Sequence, residues 1–246
     1  SIEKREQESI KQLELLLETP TAAIIIEPLV QGAGGMRMVR PKFLQQIQQL
    51  VNQSKSLLIA DEVMVGFGRT GSLFASTRAK LSPDLMALSK GLTGGCLPMG
   101  VTMASEKIFN NFVEDDPQKT FWHGHSFTAN PLGCAAANAS LDLLENNPNA
   151  FLKFESRHLP HLQKIAKHPK IKRPRLTGTI AAFDLKTDSQ DGYFNNAGKE
   201  IKRYALKHNV FIRPLGNVIY LLPPLCISDS QLEHCYKVIY SSLNEI

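Results

Sequence analysis

The chain reads as an α/β protein. It carries part of a large α/β domain, a mostly parallel sheet flanked by helices, and then a small C-terminal α+β domain. Three observations predict this. The apolar runs AAIIIEP, SLLIADEV and DLMALSK have strand length and are separated by helical patterns, as in a parallel sheet covered on both faces. Past Asn146 the pattern shifts to β-rich pieces interleaved with amphipathic helices. The composition, 43% hydrophobic and 21% charged over 246 residues, is that of a globular chain with a sizeable core.

Each element follows from local chemistry. SIEKREQESIKQLELLLETP places Ile10, Leu13, Leu16 and Leu17 near helical spacing, so a polar helix runs to about Glu18. The strand Ala22 to Pro28 leads into a glycine-rich loop, QGAGGM. Pro41 suits the first turn of the helix PKFLQQIQQLVNQS. The strand SLLIADEV follows, then the polar loop GFGRTGSL, the short segment FASTRAKL and the strand DLMALSK. After GLTGG, Met99 to Ser105 reads as a strand, EKIFNNFV as a helix, and ANPLGCAAANASLDLLEN as a long helix, alanine-rich enough to pack closely. We place a domain boundary near Asn146, giving 1–145 and 146–246. In the second part a helix runs to about His168; RLTGTIAAFDLK, NVFIRPLG and NVIYLLPP read as strands around the helix AGKEIKRYALKHN, in the order helix, strand, helix, strand, strand, helix. Ser228 or Asp229 caps the last helix.

Charge and cysteines narrow the function classes. The net charge is +5, but the basic residues are scattered except in KIAKHPKIKRPR, Lys164 to Arg175. No aromatic interleaves that stretch and two prolines break it, so it reads as a solvated connection, not a nucleic-acid patch. Cys96, Cys134, Cys226 and Cys235 form no CxxC pair and no metal-ligand spacing with the histidines, which points to reduced thiols, no metal and a cytoplasmic setting. No apolar run approaches the roughly 18 residues of a membrane span, and no signal-peptide core opens the chain.

The chemistry concentrates where two apolar strands end, at Asp61-Glu62 and at Ser89-Lys90. Open α/β sheets bind ligands at the carboxyl ends of their strands. A lysine amine there can condense with an aldehyde cofactor, and a carboxylate can hold a pyridine nitrogen protonated so that the ring accepts electrons; pyridoxal 5'-phosphate is the cofactor this pair suggests. Either residue alone has an ordinary reading, as an acid at a strand exit or a solvated loop lysine.

IIIEP, QGAGGM, LLIADEV, GFGRTG, LSKGLTGG and HGHSFTANPLGCAAA, in that order and spacing, resemble the class III aminotransferases of fold type I, the ornithine and 4-aminobutyrate type, over essentially the whole chain. QGAGGM and FIRPLGNVIYLLPP point to the biotin-pathway branch of that family. The resemblance implies pyridoxal-phosphate-dependent transamination, with Lys90 as the Schiff-base lysine and proton carrier, Asp61 at the pyridine nitrogen and Val63 packed on the ring. Ser126, with His125 beside it, is implied at the cofactor phosphate across the interface of a homodimer with a shared active site. Threonine is more usual at Ser126, and His125 stands where a smaller residue is expected; the hydroxyl is kept. Gly124 is assigned to the substrate.

Arg213 is implied as the clamp for a substrate carboxylate, which a guanidinium binds bidentately. Arg69 either lines the site or braces its loop against an acid. Tyr220 either offers a hydroxyl to the substrate or fills the core. Glu27, at the end of its strand, lies near the substrate side and calls for a partner such as an arginine. In the biotin branch the donor is S-adenosylmethionine and the acceptor 7-keto-8-aminopelargonate, which becomes 7,8-diaminopelargonate. Two alternatives stay open: another ω-aminotransferase of the 4-aminobutyrate or ornithine kind, or an inactive fragment serving as a structural or dimerisation element. The resemblance further implies that the N-terminal part of the fold, with a glycine-rich phosphate cup and a ring-stacking aromatic, lies outside these 246 residues, and that the chain alone is an incomplete enzyme.

Overall fold

The structure, a computed structural model, describes residues 1–147 and 149–245. Its backbone forms two compact units. One gathers Ser1–Leu29, Val39–Phe67 and Leu73–Asn147; the other gathers Val30–Met38, Gly68–Ser72 and the described residues beyond Asn147.

The first unit opens with helix α1 (Ile2–Leu17), whose Ser1 Oγ caps the Lys4 N–H. Of its four apolar residues at helical spacing only Ile10 is fully buried, and it shares the inner face with Glu6. That buried acid accepts from the N–H (2.9 Å) and Nε (2.7 Å) of Arg40, the residue before helix α2 (Pro41–Ser54). Pro41 sits at the first turn of α2, and Phe43, Leu44, Ile47 and Val51 make its buried stripe. A four-stranded sheet follows the order β1 (Ala23–Ile26), β4 (Leu57–Asp61), β5 (Leu85–Leu88), β6 (Val101–Ala104). β1, β4 and β5 are parallel, while β6 turns back antiparallel to β5. Such a reversed edge strand is common on an otherwise parallel sheet. FASTRAKL forms the short helix α3 (Ala75–Ala79). EKIFNNFV is helical only over α4 (Glu106–Phe109); beyond Asn110 the Asn111 side chain donates to the Lys107 carbonyl at 2.6 Å and the helix ends. Helix α5 (Pro131–Asn146) starts on Asn130, whose Oδ1 accepts from Gly133 N–H at 2.7 Å.

The second unit holds an antiparallel sheet in the order β7 (Ile171–Thr177), β8 (Ile180–Leu185), β9 (Val218–Leu221). All six residues of β8 are buried, as for a central strand covered on both faces. The short helix α6 (Asn149–Leu152) leads into α7 (Phe154–Ala166), which packs around the sheet with α8 (Gly198–Lys207) and α9 (Asp229–Glu245), with Ile165, Phe183, Ile201, Ile219, Ile239 and Leu243 in the core. Ser228 caps α9, its Oγ accepting from Gln231 N–H at 3.2 Å.

Four expectations change here. QGAGGM is the turn of a small hairpin, β2 (Val30–Gln31) with β3 (Arg37–Met38), made possible by positive φ at Gly35 (96°) and Met36 (52°). The basic stretch is no solvated connection: it is the end of α7 followed by β7, a bulged strand whose Arg173 and Arg175 pair with the buried Asp184 while Lys172 meets Asp191 at 2.8 Å. NVFIRPLG forms no strand. Val210 and Ile212 point inward as an extended segment would place them, but Pro214 has no N–H to donate, and only a single bridge, Leu215 to Val218, forms. The element order is therefore helix, helix, strand, strand, helix, strand, helix.

Candidate active site

The parallel sheet brings three of the predicted residues to one edge. Ile26 of β1 stands opposite Ala60 of β4, so Glu27 follows beside Asp61; Asp61 in turn is in register with Ala87 of β5, three residues before Lys90. Neighbouring strands lie about 4.8 Å apart, so these residues leave adjacent strand ends on the carboxyl side of the sheet. Asp61 Oδ1 accepts from the N–H of Val63 at 3.0 Å, which turns the chain off β4. Asp61 Oδ2 has no hydrogen-bond partner among the described residues, and no acid engages the exposed amine of Lys90. Glu27 is half-buried and partnered.

Lys90 opens a 3₁₀ turn, Lys90–Thr93, at φ 47°, a left-handed conformation unusual for a side-chain-bearing residue. Ser89 Oγ donates to the Met99 carbonyl at 2.6 Å, and Thr93 Oγ1 to the Leu97 carbonyl at 2.6 Å, so the GGCLPM loop is stitched to the residues on either side of the lysine turn. Leu92 packs with Phe67, Leu88 and Ala137 beneath it.

The sequence reading missed Glu62. It is fully buried, and its carboxylate takes the N–H of Ala75 (3.0 Å), the N–H of Ser76 (2.6 Å) and the Ser76 hydroxyl (2.6 Å). It thereby caps α3, whose own N-cap residue, Phe74, has no side chain able to do so. Glu62 is fully buried and bonded to α3, whereas Asp61 is half-buried with one oxygen unpartnered among the described residues, as the alternation of a strand end allows.

Gly124, His125 and Ser126 lie in an exposed stretch of the same unit that includes Phe121, Trp122 and Phe127, exposed by 68%, 81% and 76%. The turn is held locally: His125 N–H donates to Thr128 Oγ1 at 2.9 Å and Phe127 N–H to His125 Nδ1 at 3.2 Å. The Ser126 hydroxyl has no partner among the described residues, and none of the three makes a hydrogen bond or ion pair with Asp61 or Lys90.

Arg69, Arg213 and Tyr220 belong to the second unit. The Arg69 guanidinium donates to the Pro223 carbonyl at 2.5 Å, and its own carbonyl accepts from Thr179 N–H at 2.9 Å. It braces its loop, but against a backbone carbonyl and not an acid; burial lowers its pKa. Arg213 is exposed and makes no hydrogen bond or ion pair among the described residues. Burial raises the pKa of the half-buried Tyr220, and the charge of Arg213 opposes that rise. Among the described residues no group of histidine, cysteine and acid side chains could hold a metal ion, and no helix is long and apolar enough to cross a membrane.

A lysine and an acid at neighbouring strand ends of an α/β sheet define a candidate site for a carbonyl cofactor, and the comparisons with known proteins place the chain. It belongs to the class-III aminotransferase family, whose pattern matches residues 1–243. The adenosylmethionine-8-amino-7-oxononanoate aminotransferase of Synechococcus elongatus is 53% identical over 247 aligned positions, covering 100% of this chain and 58% of that protein. The enzyme of the same name from Geobacter sulfurreducens is 39% identical, covering 97% and 55%. Among solved structures, that of the same-named enzyme from Methanocaldococcus jannaschii superposes with a TM-score of 0.87 at 28% identity, over 96% of this chain and 57% of that one. A structure described as a transaminase with L-ala superposes at 0.92 and 28% identity, over 100% and 60%. The chain thus spans somewhat more than half the length of these relatives.

Proposed function

We propose that the protein carrying this chain is a pyridoxal-phosphate-dependent aminotransferase of biotin synthesis, moving an amino group from S-adenosylmethionine to 7-keto-8-aminopelargonate. The observation that supports this most is the strand-end pair: an acid with a spare oxygen beside a lysine whose amine has no partner. The names of the relatives supply the substrates.

The residues fit the cofactor. Lys90 offers a free amine to an aldehyde, Asp61 Oδ2 an acceptor for a ring N–H, Val63 an apolar surface, and Ser126, with the turn at His125, an unpartnered hydroxyl for a phosphate. When bound, pyridoxal phosphate supplies an aldehyde and a ring that can store an electron pair. The chain's own residues do the rest. Asp61 would hold the ring N–H, and Lys90 would carry protons at the reacting carbons, taking one from the donor's α-carbon and giving one to the carbon of the acceptor that receives the amino group. Arg213, exposed and unpaired, holds a carboxylate, and Tyr220 orients the polar end of the substrate. Arg69 serves by keeping its loop in place, Gly124 leaves room for substrate, and Glu27 borders the substrate side.

In this reading residues 1–145 belong to the cofactor-binding domain and 146–246 to the small domain. The enzyme is a homodimer with a shared site, which the exposed aromatic stretch around Trp122 supports. A cytoplasmic setting agrees with four free cysteines.

The test is amino transfer by the native protein. With S-adenosylmethionine and 7-keto-8-aminopelargonate, mass spectrometry should find 7,8-diaminopelargonate. Transfer only from 4-aminobutyrate or ornithine would make it another ω-aminotransferase, and no visible cofactor band with no transfer would make the chain a structural element.

A further inference from the structure

Lys90 does its proposed work from a backbone conformation that nothing in a lysine favours. At φ 47° its Cβ crowds the chain, and such residues persist where the surroundings over-determine them. Several contacts hold the turn. Gly95 N–H donates to the Lys90 carbonyl at 3.1 Å, and Gly94 N–H to the Gly91 carbonyl at 3.0 Å. Ser89 and Thr93 tie the turn to the loop that follows it. All of these are made within residues 89–99, so the whole loop could shift as one body and keep them.

A different kind of contact comes from α5. Ser140 Oγ donates to the Gly91 carbonyl at 3.0 Å, from 49 residues away in the chain. Ala137, one turn earlier on the same helix face, is buried against Leu92 and Phe67, while Leu141 and Leu144 pack at the edge of that cluster. Phe67 closes the other side: a Cβ added to Gly91 would lie 2.9 Å from the Phe67 Cβ, so only glycine follows the lysine here. With Ser140, the Gly91 carbonyl accepts two hydrogen bonds, one from its own turn and one from outside it. The outside bond fixes where the turn sits.

We infer that Ser140 is a positioning residue for Lys90, its hydroxyl anchoring the Gly91 carbonyl to α5 and so setting the direction in which the lysine amine is presented. The inference rests on the proposed role of Lys90.

The test reads capture of pyridoxal phosphate at Lys90, by borohydride reduction and peptide mass spectrometry of the native protein at sub-saturating cofactor. In wild type, Lys90 should be the reduced lysine. In Ser140→Ala the trapped fraction at Lys90 should fall about fivefold, the scale of one lost hydrogen bond, while trapping at surface lysines such as Lys42 and Lys202 stays unchanged. In Ser140→Thr, which keeps the hydroxyl, it should recover. With the physiological substrates kcat should fall more than KM, because the lysine's direction and not substrate binding is altered. Wild-type trapping at Lys90 with an unchanged Ser140→Ala would overturn the inference and leave the cofactor reading intact. No trapping at Lys90 in wild type would overturn both. A fall that Ser140→Thr fails to recover, or an equal fall at every lysine, would show a general packing role and also overturn it.

Discussion

Acid should loosen the second unit through one residue. His158 on α7 is fully buried; its Nδ1 lies 2.7 Å from the Tyr236 hydroxyl, and its ring packs against Phe154 and Tyr236. Burial lowers its pKa from 6.5 to about 4, helped by the nearby charge of Arg157, and its interaction with the Thr179 backbone only partly opposes this. The sign follows directly. A base whose folded pKa is depressed is neutral in the folded state and protonates first in the unfolded one, so its contribution is complete above pH 6.5 and is lost as the pH falls towards 4. A shift from 6.5 to about 4, at 1.36 kcal/mol per unit, amounts to about 3 kcal/mol, of which about 2 kcal/mol is gone by pH 5. The assay is hydrogen exchange of the α7 and α9 amides across this range, in wild type and in His158→Phe. The variant leaves the Tyr236 hydroxyl short of a partner and is weaker at neutral pH, but it lacks the titration. The opening free energy of wild type should therefore fall relative to the variant by about 2 kcal/mol between pH 7.5 and 5. A constant difference across that interval would refute the reasoning.

Three further outcomes follow from the packing. Glu62→Gln keeps the shape but turns a donor towards one of the three donors it now satisfies, and should cost about 2–3 kcal/mol in denaturant unfolding, with the α3 amides exchanging first; an unchanged midpoint would contradict a capping role. Gly216→Ala would place a methyl 1.8 Å from the Gly192 carbonyl oxygen at φ 62°, so it should cost more than about 3 kcal/mol, read as a lowered melting temperature. Arg69→Met removes the donor to the Pro223 carbonyl and should lower stability by about 1–2 kcal/mol while raising KM less than tenfold, whereas Arg213→Met should leave stability within about 0.5 kcal/mol and raise KM more than tenfold.

The elements legible in the sequence were those whose signals are local. Pro41 with a 3.6-residue apolar stripe placed α2, and apolar runs ending on charged residues placed β4 and β5 and with them Asp61 and Lys90. What escaped depends on partners far along the chain. Glu62 sits next to Asp61, and only the fold shows that its three donors come from residues 75 and 76. The lysines and arginines of Lys164–Arg175 suggested solvent because their acids, Asp184 and Asp191, stand on other segments. NVFIRPLG alternates like a strand, yet a single proline denies it a ladder. For Arg69 a site-lining role and a brace against an acid stood side by side, because a backbone carbonyl carries no sequence signal that would have named Pro223 as its partner.

The central claim is that Lys90, at the strand end beside Asp61, is where the cofactor binds. The most direct measurement is the site of attachment: native protein with saturating pyridoxal phosphate, reduced with borohydride and mapped by peptide mass spectrometry. The account predicts one modified lysine, Lys90, with the visible band lost in Lys90→Ala and weakened in Asp61→Asn. Modification at other lysines with Lys90 untouched would contradict it.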